Sequence, residues 1–124
     1  MKNSLKGIWA LDSNILVYSL DRNSLYFNQA VEIFTKIKNQ TFSAVVTQQN
    51  LLETVHVYSS QYGFPAFKTI AALGGLISEL EIKILLPKST TWNSFSRILE
   101  LQKNEIDIFD YYLAATLIDN SVYQ

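Results

Sequence analysis

Three short apolar runs, Ile8-Trp9-Ala10-Leu11, Phe42-Ser43-Ala44-Val45-Val46 and Ile82-Lys83-Ile84-Leu85-Leu86, are separated by segments whose apolar residues recur at helical spacing. The runs are too short for helices and read as continuous apolar strands, the pattern of strands buried on both faces. After the first run, Ser13 and Asn14 can cap a short helix over residues 15–20, and a polar loop follows from Asp21 to Ser24. From Tyr26, the positions Phe27, Ala30, Val31, Phe34 and Ile37 define one apolar helix face that ends near Asn39. Thr47 is placed to cap a helix from Gln48 to about Tyr62, which Gly63 and Pro65 break, and a further helix covers about Ala66 to Leu80. Pro87 closes the third strand. Thr90 or Thr91 then caps a helix to about Lys103, and a last helix runs from near Asp107 to about Asn120. Strands that alternate with helices form a parallel sheet covered on both faces. The predicted fold is a three-layer α/β/α domain, single over residues 1–124.

The charge pattern narrows the function classes. Ten Lys and Arg stand against 11 Asp and Glu, a net charge of −1, so the chain lacks the basic footprint of a general nucleic-acid binder. Carboxylates can still recruit phosphate through a bound cation. The absence of cysteine removes disulfides, thiolate metal sites and cysteine nucleophiles. No run approaches the ~18 apolar residues of a membrane span. Lys2 and Lys6 precede an apolar stretch that Asp12 interrupts, with no small-residue cleavage site after it. A cytoplasmic protein without a membrane partner is the expectation.

Three carboxylates stand out. In open α/β sheets, ligands bind beyond the carboxyl ends of the strands, where Asp12 sits directly after four apolar residues. Asp12 is equally placed to cap the next helix. Glu53 falls within the first two turns after the second strand, on the same rim, although a helical glutamate is ordinarily just solvated. Asp110 lies in Ile106-Asp107-Ile108-Phe109-Asp110-Tyr111-Tyr112-Leu113-Ala114-Ala115, a stretch apolar on nearly every side. Such a helix is expected to be buried, where a carboxylate needs a metal or a distant cation such as Arg22, Arg97 or a lysine. Asp107, one turn earlier, suits the helix cap and could also assist at the site. Hard oxygen ligands of this kind favour Mg²⁺ or Mn²⁺, which can activate water and hold a phosphodiester.

Other motifs carry less. Glu53-Thr54-Val55-His56 has the Glu-x-x-His spacing of di-iron bundles, but the chain holds no second histidine, so His56 reads as an ordinary helix residue. Gly74-Gly75 follows no strand and is read as close helix packing or a kink.

Taken together, these residues resemble the PIN-domain family, most closely the VapC-type toxins of toxin–antitoxin pairs. Leu11-Asp12-Ser13-Asn14-Ile15-Leu16-Val17-Tyr18 is similar to the family's first acidic motif, with Asp21 as a loop residue shortly after it. Thr47-Gln48-Gln49-Asn50-Leu51-Leu52-Glu53 resembles the second motif, and Phe109-Asp110-Tyr111-Tyr112-Leu113-Ala114-Ala115-Thr116 the third. The resemblance covers Trp9 to about Asn120. It implies a Mg²⁺- or Mn²⁺-dependent endoribonuclease acting on tRNA or rRNA, frequent homodimers and inhibition by an antitoxin protein. Asp12, Glu53 and Asp110 are then the catalytic and metal-binding residues, with Ser13, Asn14, Thr47 and Asp107 in support. The family continues into a further strand with Thr-x-x-x-Asp-like residues. The sequence stops at Gln124, and Asp119 is too early to take that role, so the expected domain lacks its last strand. Two alternatives remain: a PIN-like binding module that engages an antitoxin-like protein or RNA without cleaving, and a haloacid-dehalogenase-type phosphatase. The latter needs an Asp where this chain has Asn14.

Overall fold

The computed structural model describes residues 7–101 and 107–122. The elements, in chain order, are β1 (Ile8–Leu11), α1 (Ser13–Leu20), α2 (Phe27–Lys38), β2 (Ser43–Thr47), α3 (Gln48–Ser60), α4 (Ala66–Leu80), β3 (Lys83–Leu85), α5 (Thr91–Leu101) and α6 (Ile108–Asp119). The α/β expectation holds, with a three-stranded parallel sheet and six helices among the described residues. The expected helix end near Lys103 and the basic residues Lys2, Lys6 and Lys103 lie outside the described residues.

The sheet order is β1-β2-β3, and β1 and β2 run parallel with Ile8 opposite Ser43 and Leu11 opposite Val46. Burial follows from that order. In the central strand β2, Ala44, Val45, Val46 and Thr47 are all buried, whereas Ile8 and Trp9 of β1 and Lys83 and Ile84 of β3 are exposed. The expectation that all three runs are buried on both faces therefore holds for β2 alone. Trp9 compensates in part by stacking on Phe42, with ring centroids 4.4 Å apart.

The chain divides into two compact units, one up to Ile84 and one from Leu85 onward. The core of the first unit gathers Leu11 and Leu16 with Phe34, Ile37, Phe42, Val46, Leu73 and Ile82, so β1, α1, α2, β2 and α4 bury one another's apolar faces. Helix α1 is only eight residues long, too short to hold itself together in water. Its ends are fixed from outside the helix: Asp12 accepts from the Ile15 N–H at 3.1 Å, and the Tyr58 hydroxyl of α3 donates to the Val17 carbonyl at 2.7 Å. Val17 O is among the last carbonyls of α1, which lack helical partners, so Tyr58 both caps α1 and joins it to α3. Ser13 and Asn14, expected as caps, are instead the first helical residues, because Asp12 already supplies the capping oxygen.

Gly63 adopts a left-handed φ of 63° between α3 and α4, where the Phe64 N–H reaches the Tyr58 carbonyl at 2.9 Å. Gly74 and Gly75 correct another expectation. Helix α4 runs through them without a break, and a Cβ at either would meet nothing within 4 Å, so they mark neither close packing nor a kink.

In the second unit, α5 packs on α6. Phe95 meets Tyr112 edge to face at 5.4 Å. The Asp119 carboxylate accepts hydrogen bonds from Thr90 at 2.8 Å, Thr91 at 2.9 Å and Ser94 at 2.6 Å. The threonine hydroxyls expected to cap α5 are thus turned toward α6. Asn120 donates to the Leu86 carbonyl at 3.0 Å and fixes the end of α6 to the segment after β3.

Candidate active site

Asp12 stands at the carboxyl end of β1, exposed, with extended backbone (φ −95°, ψ 172°). Its Oδ1 is the helix cap, which orients the carboxylate and leaves Oδ2 outside that hydrogen bond. Capping and ligation are therefore compatible in one side chain.

Glu53 lies on α3 beside a residue that ties this helix to β1. The Asn50 side chain, itself buried, donates to the Leu11 carbonyl at 2.9 Å, immediately before Asp12 in the chain. Glu53 follows Asn50 by three residues on α3 and so shares its helix face. It is half-buried, and its Oε2 takes only a long 3.4 Å contact from Gln49. Thr47 acts where expected, accepting from the Asn50 N–H at 3.2 Å. That cap fixes the first turn of α3, from which Asn50 reaches β1. Thr47 and Asn50 are both nearly fully buried, so the rim rests on a rigid base.

Asp110 differs from its expectation. It lies in the first turn of α6 and is exposed, as are Ile108 and Phe109 beside it, the latter at 65%. Burial on this helix begins only at Ala115 and Thr116. An apolar sequence all round a helix does not bury its first turn when that turn emerges into solvent, so burial cost does not single out Asp110. Asp107 caps α6 as expected, its Oδ1 accepting from the Phe109 N–H at 3.0 Å. His56 is an exposed residue of α3. Among the described residues, no three acidic or histidine side chains are gathered closely enough to hold a metal ion by themselves. Mg²⁺ commonly takes only one or two carboxylates and fills its shell with waters and substrate phosphate. The hard oxygens of Asp12 and Glu53, each with one oxygen outside its hydrogen bond, fit that requirement.

Two groupings were not legible in the sequence. Asp119, too early in the chain for the last-strand role, collects three hydroxyl donors; Ser94 first, then Thr90 and Thr91, hold its carboxyl below the usual carboxylate range. Tyr58 and Tyr62 stack with centroids 4.4 Å apart, and Tyr62 donates to Asp21 at 2.9 Å. Burial pushes the Tyr58 hydroxyl up, and the bond to Asp21 does the same for Tyr62, so both remain donors near neutral pH. The Tyr-x-x-x-Tyr spacing from Tyr58 of α3 to Tyr62, just past its end, was the available signal.

The fold is α/β, a parallel sheet flanked by helices. Neither a protein-family model nor a curated protein matches the sequence. In three dimensions the chain is similar to the crystal structure of Mycobacterium tuberculosis VapC20, a toxin that cleaves the sarcin–ricin loop. The TM-score is 0.67 over 94% of this chain and 85% of that one, at 11% sequence identity. At that identity the likeness is one of fold. Among the described residues, no helix is long and apolar enough to cross a membrane.

Proposed function

We propose that this protein is an endoribonuclease of the PIN/VapC type, hydrolysing RNA phosphodiester bonds with Mg²⁺ or Mn²⁺ held by Asp12 and Glu53, and with Asp110 as the third acid that the motif resemblance implies. The observation that supports the reading is the Asn50–Leu11 hydrogen bond, which ties α3, the helix of Glu53, to the strand end that precedes Asp12, in a fold like that of an RNA-cleaving toxin. When bound, the metal ion supplies an acidified water and charge stabilisation for a transferring phosphoryl group. The chain's own part is positioning. The Ile15 N–H orients the Asp12 carboxylate, and Asn50 fixes the spacing between β1 and α3. Ser13, Asn14, Thr47 and Asp107 shape the turns that present the acids. An exposed loop of rRNA or a tRNA is the substrate class, an antitoxin protein the partner, a homodimer the assembly and the cytoplasm the setting.

The test is cleavage of total RNA with Mg²⁺ or Mn²⁺ against a chelator, using wild type, Asp12→Asn and Asp110→Asn. Metal-dependent cleavage that falls about hundredfold or more in both variants is the expected result. Cleavage that survives both substitutions removes the activity from these residues. RNA binding without cleavage by the wild type would favour the non-cleaving binding module.

A further inference from the structure

On the first unit, a cavity of about 430 Å³ opens at the ends of α1 and α3 that lie away from Asp12 and Glu53. Its lining includes Asp21, Arg22, Tyr58, Tyr62, Phe64 and Thr69. Three features of that lining are unexplained by the fold.

The first is Thr69. It is only 1% exposed, and its hydroxyl has no hydrogen-bond partner. Other helical threonines donate back to the carbonyl four residues earlier: Thr35 to Val31, Thr54 to Asn50 and Thr116 to Tyr112. At Thr69 the equivalent Pro65 carbonyl is taken by the backbone N–H groups of Lys68 and Thr69. A buried polar group left unpaired is costly and calls for a reason. The second is the aromatic wall. Tyr62 stacks on Tyr58, Phe64 meets Tyr58 edge-on at 6.2 Å, and both Tyr62 and Phe64 keep nearly half their surface exposed. The third is Arg22, exposed, with no ion pair or hydrogen bond from its guanidinium among the described residues. Asp21 is not its counter-charge; its carboxylate already accepts from Tyr62 and from the Asn23 N–H at 2.9 Å.

A flat π-surface, an unpaired hydroxyl and an unpaired guanidinium together match a planar heteroaromatic ring that carries an anionic group. We propose that this cavity is a nucleotide subsite: an unpaired RNA base enters against Tyr62 and Phe64, hydrogen-bonds Thr69, and leaves its phosphate facing Arg22. The choice of RNA rests on the ribonuclease reading above. The topology supports it. Helices α1 and α3 both run from the carboxylate rim to this cavity, joined by the Tyr58–Val17 hydrogen bond. Asp12 and Asp21 cap the two ends of α1, roughly 13 Å apart along that helix, and Tyr62 lies just beyond the end of α3, nine residues after Glu53. A single strand lying along these helices would place one base here and a phosphodiester a few nucleotides away at the acids.

The test separates this subsite from catalysis. The wild-type chain is titrated with guanosine and uridine 5′-monophosphates in chelator, following backbone amide shifts by NMR. Saturable shifts centred on Arg22, Tyr62 and Thr69 are expected. Tyr62→Ala should weaken binding about fivefold to hundredfold, the range of a lost base stack. Thr69→Val, which keeps the shape, should weaken it about two- to tenfold. Arg22→Gln should weaken the nucleotides but leave the nucleosides unchanged. Asp12→Asn should bind as wild type does, so a failure of the cleavage assay leaves this result standing, and the reverse. Shifts that ribose 5-phosphate reproduces, or that none of the three variants weakens, overturn the subsite.

Discussion

Replacing Thr69 with valine should make the protein more stable. The two side chains have nearly the same shape, both are β-branched, and their helix propensities are close, so neither packing nor backbone preference changes much. What changes is one buried hydroxyl without a partner. A buried donor or acceptor left unsatisfied costs about 1–3 kcal/mol. Removing it returns that amount, because no acceptor elsewhere is deprived. For a chain of this size, about 4 °C of melting temperature corresponds to 1 kcal/mol, so a rise of about 4–12 °C is expected. Thr54→Val supplies the internal control. Thr54 is as deeply buried, at 0% exposure, but its hydroxyl donates to the Asn50 carbonyl at 2.8 Å. The same chemical change there loses a made hydrogen bond and should leave stability unchanged or lower it by about 1 kcal/mol. Urea unfolding in a Trp92→Phe background isolates the first unit, since Trp9, stacked on Phe42, is then the remaining tryptophan. The reasoning is refuted if Thr69→Val is no more stable than Thr54→Val, which would mean that solvent or another group already satisfies the Thr69 hydroxyl.

Other substitutions probe separate parts of the structure. Asp12→Asn should melt near wild type, because asparagine caps a helix as well as aspartate does, whereas Asp12→Ala should lose about 1 kcal/mol; a calorimetric scan of both variants checks the pair. Tyr58→Phe strips the Val17 carbonyl of its partner inside the protein and should cost about 1–3 kcal/mol, read as a lower urea midpoint with an unchanged slope. Glu81 closes α4 with a left-handed φ of 55°, so Glu81→Gly should stabilise by about 0.5–1 kcal/mol in the same assay. Asp119 carries a pH signature. Its folded carboxyl is depressed, so its contribution is complete above the ordinary carboxylate pKa of ~3.9 and is lost as pH falls through the folded value. The stability gap between wild type and Asp119→Ala, followed by Trp92 in the second unit, should be constant near neutrality and narrow only in that acid range.

The strand–helix alternation was legible because it rests on local pattern. Ile8–Leu11 ends where the apolar run ends, and Thr47 and Asp107 cap the helices that their positions announced. Burial was less legible, since it depends on neighbours that the local pattern does not contain. The same kind of apolar run is buried in β2, between two strands, and exposed at Ile8 and Trp9 of β1. Asp110 shows the same limit: its flanking Ile108 and Phe109 suggest a core helix, yet that turn lies in solvent. Side-chain partnerships over long sequence separation were the least legible. Tyr62 and Asp21, 41 residues apart, meet only because α1 and α3 pack together, and no spacing rule predicts the pair.

Asp12 and Glu53 gain from the structure what Asp110 loses. On sequence alone, Asp12 as a cap and Asp12 as a ligand competed for one side chain, and Glu53 rested on its place after a strand and on the second-motif resemblance. The cap engages one oxygen and orients the carboxylate, which would preorganise a metal ligand at little entropic cost. Asn50 then transmits the position of β1 to α3 through a buried hydrogen bond, with Glu53 one turn further on. A solvated surface glutamate has no need of such a fixed base. The rigid support beneath Asp12 and Glu53 is therefore a stronger argument for a built site than the burial expected of Asp110.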